Sequence, residues 1–194
     1  MSTVTNDFTD VLQEHQQLIK QLADYKPLIS AASKLIISTL ISGHKILLCG
    51  NGGSAADCQH FAAELVIRYH KNRRAYPAIA LTTDTSILTA HPNDFSFDSL
   101  YSRQVAALGA EGDCLIAFST SGNSENIIQA SLAAKQQNMS VIGLMGGDGG
   151  RLKAQVDMAI VIPSKTTARI QEAHQLIYHW WCEMVDEIEN ERGR

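Results

Sequence analysis

The chain has 194 residues, 45% of them hydrophobic and 19% charged, which excludes a disordered or fibrous chain and suits one compact domain with a sizeable core. A formal net charge of -4 argues against a general nucleic-acid binder, which needs a basic face to release counterions. No apolar stretch is long enough to span a bilayer. The polar, acidic opening from Met1 to Asp10 lacks the pattern of a secretory signal, so the expected location is cytoplasmic.

Helical periodicity comes first. Phe8, Val11, Leu12, His15, Leu18, Ile19 and Leu22 recur at helical spacing, and a second helix opens near Pro27 and carries Leu28, Ala31, Ala32, Leu35, Ile36, Leu40 and Ile41 until Gly43 stops it. From Lys45 the texture changes to short apolar runs at 46–49, 78–81, 114–118, 141–145 and 158–162, each the length of a buried strand. Amphipathic stretches at 54–69, 85–90, 99–107, 124–137 and 167–189 fill the gaps. This alternation predicts an α/β fold, a doubly wound five-stranded parallel sheet with two additional N-terminal helices. The expected organisation is a single domain over 1–194, with a helical layer at 1–42 and an α/β core at 43–194. The two leading helices are expected to supply a subunit contact. Cys49, Cys58, Cys114 and Cys182 form no CxxC pair and read as reduced, mostly buried thiols. The basic run His70, Lys71, Arg73 and Arg74 reads as a solvated helix end.

Two strands end in turns of small residues that lead directly into helices. These are Gly50-Asn51-Gly52-Gly53-Ser54 and Ser119-Thr120-Ser121-Gly122-Asn123-Ser124. In parallel α/β sheets, ligands bind beyond the carboxyl ends of the strands, where a helix N-terminus offers unpaired N–H groups to an anion. One helix cap needs one hydroxyl or amide side chain. The second turn offers several, which favours an anion site over a run of caps. The first turn has neither the Lys-Ser/Thr ending of a Walker loop nor GxGxxG spacing. A loop without lysine suits a phosphate on a small molecule better than a triphosphate with magnesium.

His60 and Glu64 stand four residues apart on one helix face. Imidazole with carboxylate is a common zinc pairing, and the carboxylate can also serve as a base; an isolated HxxxE is also a common surface hydrogen-bonded pair. On the last helix Gln171, Gln175 and His179 share a face, and polar groups on so apolar a helix need a buried purpose or an interface. His15, His44 and His70 read as structural.

These segments, with Asn93-Asp94, Gly146-Gly147-Asp148-Gly149-Gly150 and Arg169-Ile170-Gln171-Glu172-Ala173-His174, together resemble the phosphoheptose (sedoheptulose 7-phosphate) isomerases, a family of sugar isomerase (SIS) domain proteins. The likeness covers nearly the whole chain. It implies the SIS fold and a homotetramer with sites at subunit contacts. It implies conversion of sedoheptulose 7-phosphate into D-glycero-D-manno-heptose 7-phosphate, for lipopolysaccharide or other surface-glycan heptose. It implies one Zn(2+) per subunit on His60, Glu64, Gln171 and His179, with Glu64 as base and His179 as acid. Sugar-phosphate contacts fall on Asn51, Gly52, Gly53, Ser54, Glu64, Arg68, Asn93, Asp94, Ser119, Thr120, Ser121, Ser124 and Gln171. From charge and hydropathy, neither a nucleic-acid nor a membrane partner is expected.

Two rival readings accompany it. Another phosphosugar enzyme shares the chemistry. Non-enzymatic SIS proteins that associate with the replication initiator share the turns and the RIQE stretch but lack the glutamate and the final histidine, both kept here as Glu64 and His179. His91-Pro92 departs from the family pattern, and Pro92 is expected to reshape the loop that positions Asp94.

Overall fold

The structure, a computed structural model, describes residues 7–192. The first six residues of the polar opening and the last two of the expected core lie outside the described residues. Helix α1 (Phe8–Gln21) is capped by Asp7, whose side chain accepts from Thr9 N. Helix α2 (Lys26–Ile41) starts at Pro27, where a missing N–H costs nothing. The α/β part runs β1 (Ile46–Cys49), α3 (Gly53–Val66), β2 (Ala78–Ala80), α4 (Thr85–Asp94), α5 (Leu100–Leu108), β3 (Cys114–Ser119), α6 (Glu125–Gln136), β4 (Ser140–Gly146), β5 (Met158–Ile162) and α7 (Thr167–Arg192).

All strand pairs are parallel, in the order β2-β1-β3-β4-β5. The central strands β1 and β3 are buried along their length. Alternation along them splits the core into two layers. Ile46, Leu48, Ile116, Phe118, Ile142 and Leu144 face the layer holding α2, α3 and α7. Leu47, Cys49, Leu115, Ala117, Val141 and Met145 face the layer of α5 and α6. Helix α2 is a full member of the first layer, with Ala32 and Ile36 wholly buried, whereas α1 contributes Leu18. The indole N–H of Trp181 donates to Ile29 O (3.0 Å) and ties α7 to α2. All four cysteines are free and buried.

Several sequence expectations need correction. Strand β2 stops at Ala80 and sits at the sheet edge, so Ile79 is exposed rather than buried. Helix α3 ends three residues early, at Val66. Helix α4 continues through Pro92 to Asp94, so Pro92 lies inside the helix and reshapes no loop before Asp94. The basic run is a solvated end at His70 and Arg74, which are exposed, but not at Arg73. The Arg73 side chain is wholly buried, and its guanidinium pairs with the buried Asp186 on α7 at 2.8 Å. It also donates to Leu65 O (2.8 Å) and Glu64 O (2.7 Å), closing orphan carbonyls at the end of α3.

Candidate active site

The sheet order places a topological switch point between β1 and β3, where the chain winds outward in opposite directions and a crevice opens at the carboxyl edge. Both small-residue turns flank that crevice. Asn51 after β1 and Asn126 at the start of α6 exchange side-chain hydrogen bonds, 2.9 Å each way, and lace the two turns together. The hydroxyl of Tyr101 donates to Gly50 O (2.7 Å) from the opposite helical layer.

In the second turn, Ser119 Oγ donates to Ser124 Oγ at 3.2 Å. Ser124 occupies the N-cap of α6 yet makes no side-chain cap bond, so its hydroxyl is not spent on the helix. Ser121 Oγ accepts from Asn123 N (3.1 Å). Gly122 has φ +64° and lies so close to Gly149 that an added Cβ would stand 2.0 Å from its carbonyl oxygen. Only glycine lets the 119–124 and 146–150 turns pack at that distance. Thr120, Ser121, Gly146, Gly147, Lys165 and Thr167 border a cavity of about 210 Å³ beside the turn. Lys165 supplies the positive charge that the turn itself lacks.

Helix α3 begins at Gly53, where an added Cβ would meet the Gln171 amide at 2.6 Å. Gln171 of α7 therefore lies over the first turn of α3. One helical stretch further on, His60 Nε2 faces Glu64 Oε1 at 3.1 Å. The His179 ring stands 5.0 Å from the His60 ring, centroid to centroid, and Tyr69 stacks on its other side at 5.6 Å. Thus His60, Glu64 and His179, read from two segments more than a hundred residues apart, meet between α3 and α7, with Gln171 against the start of α3. The Arg73–Asp186 pair fixes the far end of α3 on α7. A second clamp runs from His15 Nδ1 to Glu172 Oε2 (2.7 Å), and Arg169 holds both Glu172 and Val11 O, so α1 is anchored to α7. Arg169, Glu172 and His15 are thereby structural. His174 is buried with Nε2 on Met145 O (3.2 Å) and does not face the crevice group.

Burial, with help from the nearby His60, holds the His179 pKa below its ordinary value. Its imidazole is neutral at neutral pH, the form that ligates a metal or passes a proton. Two zinc ligands at about 2.1 Å in tetrahedral geometry stand about 3.4 Å apart, so the separation of His60 from Glu64 suits a shared cation. The His179 ring borders that pair without closing on it, the Gln171 amide is placed against Gly53, and among the described residues no three His, Cys, Asp or Glu groups form a ready-made metal cage. The remaining expected contacts are placed differently. The Asn51 side chain is engaged by Asn126. Gly52, with φ +57°, occupies the N-cap of α3. Ser54 is buried in the first turn of α3. Arg68 is exposed beyond α3, and Asn93 donates to Asp94 (2.8 Å) with both residues exposed. The structure does not bring these three into the cluster.

The family model described as SIS domain matches residues 10–146. A phosphoheptose isomerase of Campylobacter jejuni subsp. jejuni serotype O:6 is 52% identical over 175 residues, 90% of this chain and 94% of the relative. The chain belongs to the phosphoheptose isomerase family of SIS-domain proteins. The solved structure of phosphoheptose isomerase GmhA from Neisseria gonorrhoeae is 42% identical and superposes with a TM-score of 0.88 over 95% of this chain and all of that one. A phosphoheptose isomerase from Francisella tularensis gives 38% identity and a TM-score of 0.91 over 96% of this chain and all of that one. The family fold therefore extends over α7, beyond the residues matched by the domain model.

Two members of the cluster escaped the sequence reading. Tyr178 directs its hydroxyl to His60 Nδ1 (3.0 Å) and to Asp57 Oδ1 (3.5 Å). Asp57 Oδ2 is buried with no hydrogen-bond partner, and burial raises the carboxyl's pKa. The only available signal was spacing: Asp57 precedes His60 by three residues, and so shares a face of α3 with it.

Proposed function

We propose that this chain interconverts sedoheptulose 7-phosphate and D-glycero-D-manno-heptose 7-phosphate, feeding the heptose of lipopolysaccharide or another surface glycan. The observation that carries this reading is the Glu64 carboxylate set beside His60, with His179 next to them, on the helix that leaves the first small-residue turn. Initiator-associating SIS proteins lack the glutamate and final histidine that this cluster is built on.

The sugar phosphate is held at its far end by Ser119, Thr120, Ser121 and Ser124, together with the N–H groups opening α6. That anchorage leaves C1 and C2 to reach α3 and α7. Glu64 removes the proton from C1 of the ketose while His179 protonates the C2 carbonyl oxygen, giving an enediol. Glu64 then returns its proton to C2 while His179 takes back the proton of the C1 hydroxyl, and the carbonyl stands at C1. His60, Glu64, Gln171 and His179 would hold one zinc ion per subunit. That ion would supply Lewis-acid stabilisation of the developing oxyanion.

We further propose a cytoplasmic homotetramer. Its support is a pair of apolar grooves, about 490 and 330 Å³, that meet at Trp180 between α2 and α7. No helix among the described residues is long and apolar enough to cross a membrane. The test is a panel of ketose phosphates offered to purified protein with and without zinc. Selective turnover of the seven-carbon substrate is expected. Turnover of a different ketose phosphate in its place would refute the substrate assignment.

A further inference from the structure

We infer that Tyr178, backed by Asp57, is a positioning residue that holds His60 by Nδ1 and leaves Nε2 turned toward Glu64. The inference rests on the zinc site proposed above for its consequence, but its geometry stands without a metal. Tyr178 is buried, its ring stacked on Phe61 at 5.1 Å and 14°, so its hydroxyl is carried on a fixed platform. That hydroxyl lies 3.0 Å from His60 Nδ1 and 3.5 Å from Asp57 Oδ1. A histidine ring has two nitrogens, and the partner of one sets the role of the other. With Nε2 on a cation, Nδ1 must carry the ring proton and donate it to the Tyr178 oxygen. The Tyr178 hydroxyl can then donate to Asp57 Oδ1, whose second oxygen is buried without a partner, while the Gln175 side chain also lies against that hydroxyl. The chain Asp57–Tyr178–His60 thus has the polarity of the carboxylate–histidine outer sphere that orients metal-ligating histidines, with a tyrosine interposed. It also gives a role to the half-buried Asp57 carboxylate, one oxygen of which is buried without a partner.

The test is Tyr178→Phe, which keeps the stack on Phe61 and removes the hydroxyl. Zinc affinity, measured by competition with a chromophoric chelator, is expected to fall about ten- to hundred-fold. In parallel, long-range proton–nitrogen NMR on the zinc-free wild type should show His60 Nδ1 hydrogen-bonded, with its nitrogen shift and tautomer ratio altered in Tyr178→Phe. Unchanged zinc affinity together with unchanged His60 nitrogen shifts would overturn the inference. If the wild type takes up no zinc, the metal reading fails while the nitrogen shifts still decide: a His60 signal that moves upholds the positioning role, and one that does not move refutes it. A Tyr178→Phe protein that fails to fold leaves the wild-type spectrum to decide, because a His60 Nδ1 without a hydrogen bond refutes the role outright.

Discussion

At the scale of single residues, the proposed chemistry concentrates on Glu64. It lies at hydrogen-bond distance from His60 and is less than a quarter exposed. Glu64→Gln keeps size and helix propensity but removes the base, so kcat should fall by about 10²–10⁴-fold while the circular dichroism spectrum stays unchanged. Turnover within a few-fold of wild type would remove Glu64 from the mechanism. The double change Ser119→Ala and Ser121→Ala takes two hydroxyl donors from the proposed phosphate turn but leaves Gly122 and its close packing intact. Each hydrogen bond to a charged group contributes roughly 1.5–3 kcal/mol, so KM should rise at least about ten-fold per hydroxyl, with kcat less affected. Calorimetry showing unaltered sugar-phosphate binding would reduce the turn to a structural cap. His174 sets a pH limit on stability. Burial lowers its pKa from 6.5 to about 4 in the folded protein, so between those values the unfolded chain takes up a proton that the folded one does not. Its stabilising contribution is full above pH 6.5 and is lost as pH falls toward 4, by up to about 3 kcal/mol. Denaturant titrations of His174→Gln, which cannot titrate, should show a shallower loss across that window.

At the scale of elements, the site depends on how α3 is seated against α7. Arg73 joins the carbonyls ending α3 to Asp186, which also accepts the backbone N–H groups of His70 (2.7 Å) and Lys71 (2.9 Å). Burial opposes the charge on Asp186, but these three donors and the Arg73 charge outweigh it and hold its pKa below the ordinary value. Arg73→Ala leaves a buried carboxylate unpaired, and such a loss costs about 3–5 kcal/mol. The urea midpoint should drop accordingly, and activity should fall too, because Glu64 and His179 lose their common frame. This clamp shows where sequence reading stops. The periodicity that placed the five strands and the α3 and α7 helices depends on neighbours a few residues apart, and so do the glycine turns and the His60–Glu64 face. The Arg73–Asp186 pair joins residues 113 apart, and a basic residue after a helix looks the same in sequence whether it meets water or a buried carboxylate. Tyr178 was hidden for the same reason. On an apolar helix it reads as core, and its packing on Phe61 is indeed core; the hydroxyl matters because α3 brings His60 to it. Pro92 was misjudged in the opposite direction, since the residue that ordinarily ends a helix is here carried within α4.

At the scale of the whole molecule, the doubly wound sheet gathers the two turns at one edge and lays α7 over the layer that holds α3. The order of elements therefore builds the site before any side chain is chosen. The grooves beside Trp180 leave apolar surface on the α2–α7 face, with Leu176 and Ile41 exposed next to it. Trp180→Glu is expected to shift the sedimentation profile from tetramer to smaller species; a wild type that sediments as a monomer would exclude the proposed assembly. The central claim is that Glu64 carries one proton between adjacent carbons of a seven-carbon sugar phosphate. Incubating the protein with sedoheptulose 7-phosphate in deuterium oxide and following the products by NMR tests it most directly. The account predicts D-glycero-D-manno-heptose 7-phosphate carrying deuterium at C2 wherever the Glu64 proton has exchanged with solvent, and no aldose from Glu64→Gln. Wild-type protein that forms no aldose, or a Glu64→Gln variant that forms it at the wild-type rate, would contradict the account.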